Sequence, residues 1–183
     1  MSMTASAAPK TRYDPVAQGF HWLVVLLLVA QYLTEALQSV LPKSYEGVFD
    51  RLHVSIGPTI LLLMLLRLVW RLANPPPPAP RDLPPALQAL SRATHWAFYA
   101  VLFVLPILGW VAASAFNTRA YLLGFIPLPA LTTPNEDFGN AIGEVHGAVA
   151  LTLLALIALH VAGALYHALV KRDGVLQRML PQG

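Results

Sequence analysis

Three histidines, His146, His160 and His167, interrupt an otherwise apolar run over residues 142–169. A run of that length is long enough to cross a bilayer as a single helix. At about 100° per residue, the 14 steps from His146 to His160 fall roughly 40° short of four full turns. The 7 further steps to His167 fall about 20° short of two turns, so all three imidazoles are expected on one stripe. A rise of about 1.5 Å per residue puts His146 and His160 roughly 21 Å apart along the axis, with His167 about 10 Å further on. Ligand-type side chains at levels most of a bilayer apart imply two stacked cofactors. The rest of the chain then has to supply a second ligand for each.

Composition agrees with a membrane setting. The 183 residues are 56% hydrophobic and only 11% charged, with a mean hydropathy of +0.58. A soluble domain carries about a quarter of its residues charged, so an all-α membrane protein is expected. The absence of cysteine excludes disulfides, thiolate-bound zinc, iron–sulfur clusters and thioether-linked haem. A net charge of +3 is too small to call for nucleic acid, which leaves membrane lipid as the surrounding partner.

Four apolar runs punctuate the chain. After a tail over residues 1–15, the first is expected as a retained helix over about 17–40, because no small-residue cleavage site follows it. The second, about 52–72, stops at Pro75, Pro76, Pro77, Pro78 and Pro80, a tract that forms an extended spacer. Ser91 is the expected cap of a third helix over about 91–114, with a kink at Pro106. Residues 116–141 hold Pro127, Pro129, Pro134, Asn135 and Gly139, and read as a loop with a short interfacial piece at 121–125. The fourth helix is expected over about 142–170. The reading is one four-helix transmembrane domain over 16–172, with a second tail over 173–183.

The basic residues orient this bundle. Nine fall on one side: Lys10, Arg12, Arg67, Arg71, Arg81, Arg92, Lys171, Arg172 and Arg178. Three, Lys43, Arg51 and Arg119, fall on the other. The positive-inside bias therefore predicts that both termini are cytoplasmic.

Orientation gives each histidine a depth. His53, opening the second helix, and His146 are outer, so the outer ligand pair is His53 with His146. His21, His95 and His160 are inner, and His167 sits at the inner interface. The inner pair draws on these four, with His21 and His160 preferred because both lie within apolar sequence. Neutral imidazoles on both faces of an iron are the ligands of a b-type haem held in a helical bundle. Gly57, four residues from His53, and Gly163, three from His160, leave room for the macrocycle. Arg67 and Arg71 are candidates for a haem propionate.

This ordered set resembles the bacterial cytochrome b561 family. Its carriers are His21-Trp22-Leu23, His53-Val54-Ser55 with Gly57, Arg67 and Arg71, then His95, His146, His160, His167 and the tail Arg178-Met179-Leu180-Pro181. The resemblance covers residues 13–181. It implies a four-helix bundle in the bacterial inner membrane enclosing two b haems, on His53/His146 and His21/His160. It also implies electron exchange with ubiquinone, for which His95 and His167 are candidate contacts.

Some members of the family resemble superoxide oxidases. Others are the haem-bearing electron-transfer subunits of hydrogenases or formate dehydrogenases, fed by a partner donor. Two imidazoles per iron leave no open coordination position, so outer-sphere electron transfer is expected. A superoxide entrance would use Lys43 and Arg119. The outer segments nevertheless carry six acids, Glu35, Glu46, Asp50, Glu136, Asp137 and Glu144, against three basic residues, the wrong sign for steering an anion. A histidine-lined metal or proton transporter is the remote alternative.

Overall fold

The computed structural model describes residues 11–80 and 83–181. Lys10 and Arg81, two of the nine basic residues assigned to the inner side, lie outside the described residues, as does the side chain of Glu46.

Four long helices form the protein: α1 (Pro15–Val40), α2 (Glu46–Ala73), α3 (Pro85–Ala115) and α4 (Glu136–Leu165). All four are long and apolar enough to cross a membrane. Each begins earlier than its apolar run, and α1 and α4 do so behind side-chain caps. Asp14 accepts from the N–H of Ala17 at 2.9 Å, with Pro15 preset for the first helical position. Pro85 opens α3 in the same way, so Ser91 lies inside the helix and does not cap it. Asn135 accepts from the N–H of Phe138 at 3.0 Å, and Glu136 and Asp137 complement the dipole of the first turn. Residues 136–141 are thus helix, and the expected loop is shorter by that much. α3 continues through Pro106 as one helix, and α2 does the same through Pro58.

The interfacial piece is a small hairpin, β1 (Tyr121–Leu122) against β2 (Ile126–Pro127). Leu123 and Gly124 make its turn with φ of 56° and 80°, a left-handed pair suited to a tight hairpin. The N–H of Leu123 donates to Thr59 Oγ1 at 3.0 Å, which fastens the hairpin to α2.

Packing follows chain order: α1 on α2, α2 on α3, and α3 most extensively on α4. No comparable packing joins α4 to α1 or to α2. A core of Val24, Ile60, Met64, Tyr99, Leu102 and Leu153 fills the middle of the bundle. Tyr32 ties α1 to α4 by donating its hydroxyl to the carbonyl of Ala150 at 2.7 Å. Leu26, Val69, Leu151 and Leu169 point outward, 66–69% exposed, as lipid-facing side chains do.

The two chain ends meet on one face. Tyr13 N–H donates to the carbonyl of Arg178 at 3.2 Å, Trp22 Nε1 to that of Met179 at 2.9 Å, and Arg12 to that of Leu180 at 2.7 Å. Arg178 in turn donates to the carbonyl of Pro78 at 2.8 Å. Beyond α4 the chain widens into a π-helical turn (Tyr166–Lys171), after which Arg172 at φ 52° sends it back across this face.

Candidate cofactor-binding site

At the face away from the chain ends, the rings of His53 and His146 stand 6.1 Å apart, centre to centre, at 66°. Each is held by its Nδ1. His146 Nδ1 lies 3.1 Å from the carbonyl oxygen of Leu105. A carbonyl can only accept, so this nitrogen carries the proton and Nε2 presents its lone pair. His53 Nδ1 lies 3.3 Å from Thr34 Oγ1, whose own hydrogen goes to the carbonyl of Gln31 at 2.7 Å. Thr34 must then accept from His53, which frees that ring's Nε2 as well. Gln31 adds a bond from Nε2 to the carbonyl of His53 at 3.1 Å. Outer-shell partners of this kind fix the tautomer and orientation of a metal-binding histidine. Gly109 completes the fit: a Cβ there would stand 3.0 Å from His146 Cε1.

Near the chain ends, His160 lies between two rings, His21 at 6.2 Å and His95 at 5.8 Å, with Phe98 edge-on at 5.4 Å. Here the nitrogen bookkeeping differs. Arg67 Nη2 sits 3.3 Å from His21 Nδ1. A guanidinium only donates, so in this arrangement His21 carries its proton on Nε2. Arg71 lies 5.6 Å from the ring centres of both Trp96 and Tyr99. His167 is engaged elsewhere, with its Nδ1 2.6 Å from Asp173 Oδ2. Burial pushes the Asp173 carboxyl up, but the bonds from His167 and the Val175 N–H outweigh it and hold the group below the ordinary carboxylate value.

Two imidazoles on one metal need about 2 Å per metal–nitrogen bond and about 1 Å from each nitrogen to its ring centre, roughly 6 Å in all. Both the His53/His146 and the His21/His160 separations meet this. Ordinary ring packing gives similar distances, so helix spacing is the better discriminator. Both pairs join α4 to a helix whose backbone approaches it less closely than that of α3, the helix that carries His95. A Cβ added at Gly57 or Gly163 would meet nothing within 4 Å; Gly57 is half-buried near His53, whereas Gly163 is exposed. The residues fit a haem at each level, the lower one on condition that Arg67 turns away from His21.

Lys43 and Arg119 are both exposed on the face away from the chain ends, and no hydrogen bond or ion pair among the described residues joins them. The sequence reading missed Thr34, Gln31, Gly109, Tyr99 and Asp173. Gly109 had a readable signal, a glycine inside an apolar helix where some backbone or ring must come close. Asp173, six residues from His167 across a π turn, matches no helical period and had none.

Four lipid-facing helices carrying facing imidazoles at two levels define a multi-pass membrane protein of the haem-binding class. A profile of the prokaryotic cytochrome b561 family matches residues 12–182. The chain is 30% identical over 171 residues to the "Probable superoxide oxidase CybB" of Yersinia pestis, covering 93% of this chain and 97% of that one. It is 28% identical over 172 residues to "Cytochrome b561 homolog 2" of Escherichia coli (92% and 91% covered) and 30% identical over 177 residues to "Cytochrome b561 homolog 1" (93% and 98%). The chain belongs to the prokaryotic cytochrome b561 family, and membership implies b-type haem.

Proposed function

We propose that this protein is a di-haem cytochrome of the bacterial inner membrane that passes single electrons from the outer face to ubiquinone at the face bearing the chain ends. His53 and His146 would hold the outer haem, and His21 and His160 the inner one. The observation that carries this reading is that both ring pairs bridge helices whose backbones are more widely spaced than those of α3 and α4. A haem closed on both faces by imidazole supplies outer-sphere, one-electron transfer.

The surrounding residues prepare the site for that task. Leu105 and Thr34 keep Nε2 unprotonated on both outer rings, and the core around Met64 and Leu153 excludes water between the two levels. His95 and the His167–Asp173 pair would supply the polar contacts for ubiquinone and hold protons for it. Superoxide is the donor suggested by the name of the Yersinia relative. The balance is two superoxide anions, one ubiquinone and two protons giving two dioxygen molecules and one ubiquinol. Lys43 and Arg119 are the cationic side chains available to the incoming anion.

The excess of acids on the outer segments favours a second reading, a haem-b subunit fed by a dehydrogenase or hydrogenase partner. One experiment separates the two. The purified protein is mixed with a superoxide source, and haem reduction is followed before and after ubiquinone is added. Reduction followed by quinone-dependent reoxidation supports the oxidase. Haem that only a chemical reductant can reduce supports the subunit, and a colourless preparation removes both in favour of a transporter.

A further inference from the structure

Tyr99 lies on α3 four residues after His95, hence on the same side of the helix. Its ring is 6% exposed, stacked on Phe103 at 6.5 Å and tilted against Trp96 at 5.6 Å. Its hydroxyl is buried with no hydrogen-bond partner. Burying a hydroxyl unpaired is costly, and native structures rarely leave one so. Among the described residues the other buried side-chain orphan is Gln31 Oε1, which belongs to the outer level.

Tyr99 also lines a cleft on the chain-end face, together with Arg67, Arg71, Trp70, Tyr13 and Met179, among others. The cleft offers about 30 Å³, enough for one or two waters or the end of a carboxylate. No acidic side chain lines it, and neither guanidinium has a carboxylate partner among the described residues. Two cations and an unpaired donor converging on a small cleft make a receptor for an anion. Arg67 meanwhile spends a donor on His21 Nδ1, leaving that ring in the tautomer that cannot bind a metal through Nε2.

We propose that this cleft seats one propionate of the inner haem between Tyr99 Oη, Arg67 and Arg71, and that Arg67 is exchanged from His21 to the propionate when that haem binds. The exchange satisfies three groups at once. Tyr99 gains an acceptor, and Arg67 gains a carboxylate. His21 gives up its Nε2 proton and takes one at Nδ1, with no net change in protons. Tyr99 is a positioning residue in this scheme. The proposal rests on the di-haem reading above.

The test uses the full-length protein in detergent, as wild type, Tyr99→Phe and Arg71→Gln. Haem content, the midpoint potential of each haem and the propionate bending bands of the resonance Raman spectrum are measured. The wild-type spectrum judges the di-haem reading first; if it holds no second haem, that reading and this proposal both fall. With two haems bound, Tyr99→Phe should shift the propionate band of the inner haem. It should also raise that haem's oxidised-to-reduced ratio at fixed potential by roughly three- to tenfold, the scale of one ordinary hydrogen bond, while leaving the outer haem unchanged. Arg71→Gln should act in the same direction. Unchanged bands and potentials in both variants overturn the proposal. So does loss of a copurified phospholipid with the bands unchanged, which would assign the cleft to a lipid headgroup.

Discussion

His146 donates from Nδ1 to the carbonyl of Leu105, 3.1 Å away on α3. The approach is possible because the residue one turn further along α3 is Gly109, where a methyl group would press to 3.0 Å from the imidazole. Gly109→Ala should therefore displace the ring by a few tenths of an ångström and weaken outer haem binding, and Gly109→Val should abolish it. The pyridine haemochrome of the valine variant should report one haem per chain against two for wild type. Two haems in Gly109→Val would show that His146 is not held through this contact.

The outer pair can be tested more directly. His53→Ala and His146→Ala each remove one of two imidazoles 6.1 Å apart. Each should lose the same haem, leaving spectra that superimpose. Two variants with different residual spectra would break the pairing.

At the inner level His160 has two neighbours of similar distance, His21 and His95. Because α3 packs more closely on α4 than α1 does, His21→Ala should lose the inner haem, while His95→Ala should keep it with altered quinone reduction. The reverse result, measured by haem content and quinol formation, would move the ligand from α1 to α3.

The His167–Asp173 contact has a predictable response to acid. A carboxyl held below its ordinary value stabilises the fold above the unfolded pKa of about 3.9 and loses that contribution as pH falls through its folded value. Wild type should therefore melt above Asp173→Asn by a constant margin near neutral pH, and the margin should close only below about pH 4. A margin already gone at pH 6 would mean that the carboxylate is not the stabilising partner.

On the face away from the chain ends, Lys43 and Arg119 are exposed and not joined to one another. If they steer an anion, Lys43→Glu and Arg119→Glu should each lower the second-order rate with superoxide by a few-fold at low salt, with the difference fading at high ionic strength. Rates that ignore both substitutions at every salt concentration would point to a protein donor.

Much of this was legible in the chain. Four apolar runs, the basic asymmetry and the spacing of His53, His146 and His160 follow from periods and lengths that a bilayer imposes. Helix starts were read late, since Asp14 and Asn135 open α1 and α4 ahead of their apolar runs and Pro85 opens α3 right after a proline-rich stretch that signals a break. Residues such as Thr34 and Tyr99 were hidden for a different reason. Their roles depend on which atom of another helix they face, and a single chain's periodicity does not record that. His167 fits the same stripe as His160 by counting, yet its ring is committed to Asp173 once the helix widens.

The clasp between Trp22 and Met179 joins residues 157 positions apart. During synthesis the first helix therefore waits, seam open toward the last, until the entire bundle has been made. Until Met179 has been made, the Trp22 indole lacks the acceptor that it has in the finished bundle.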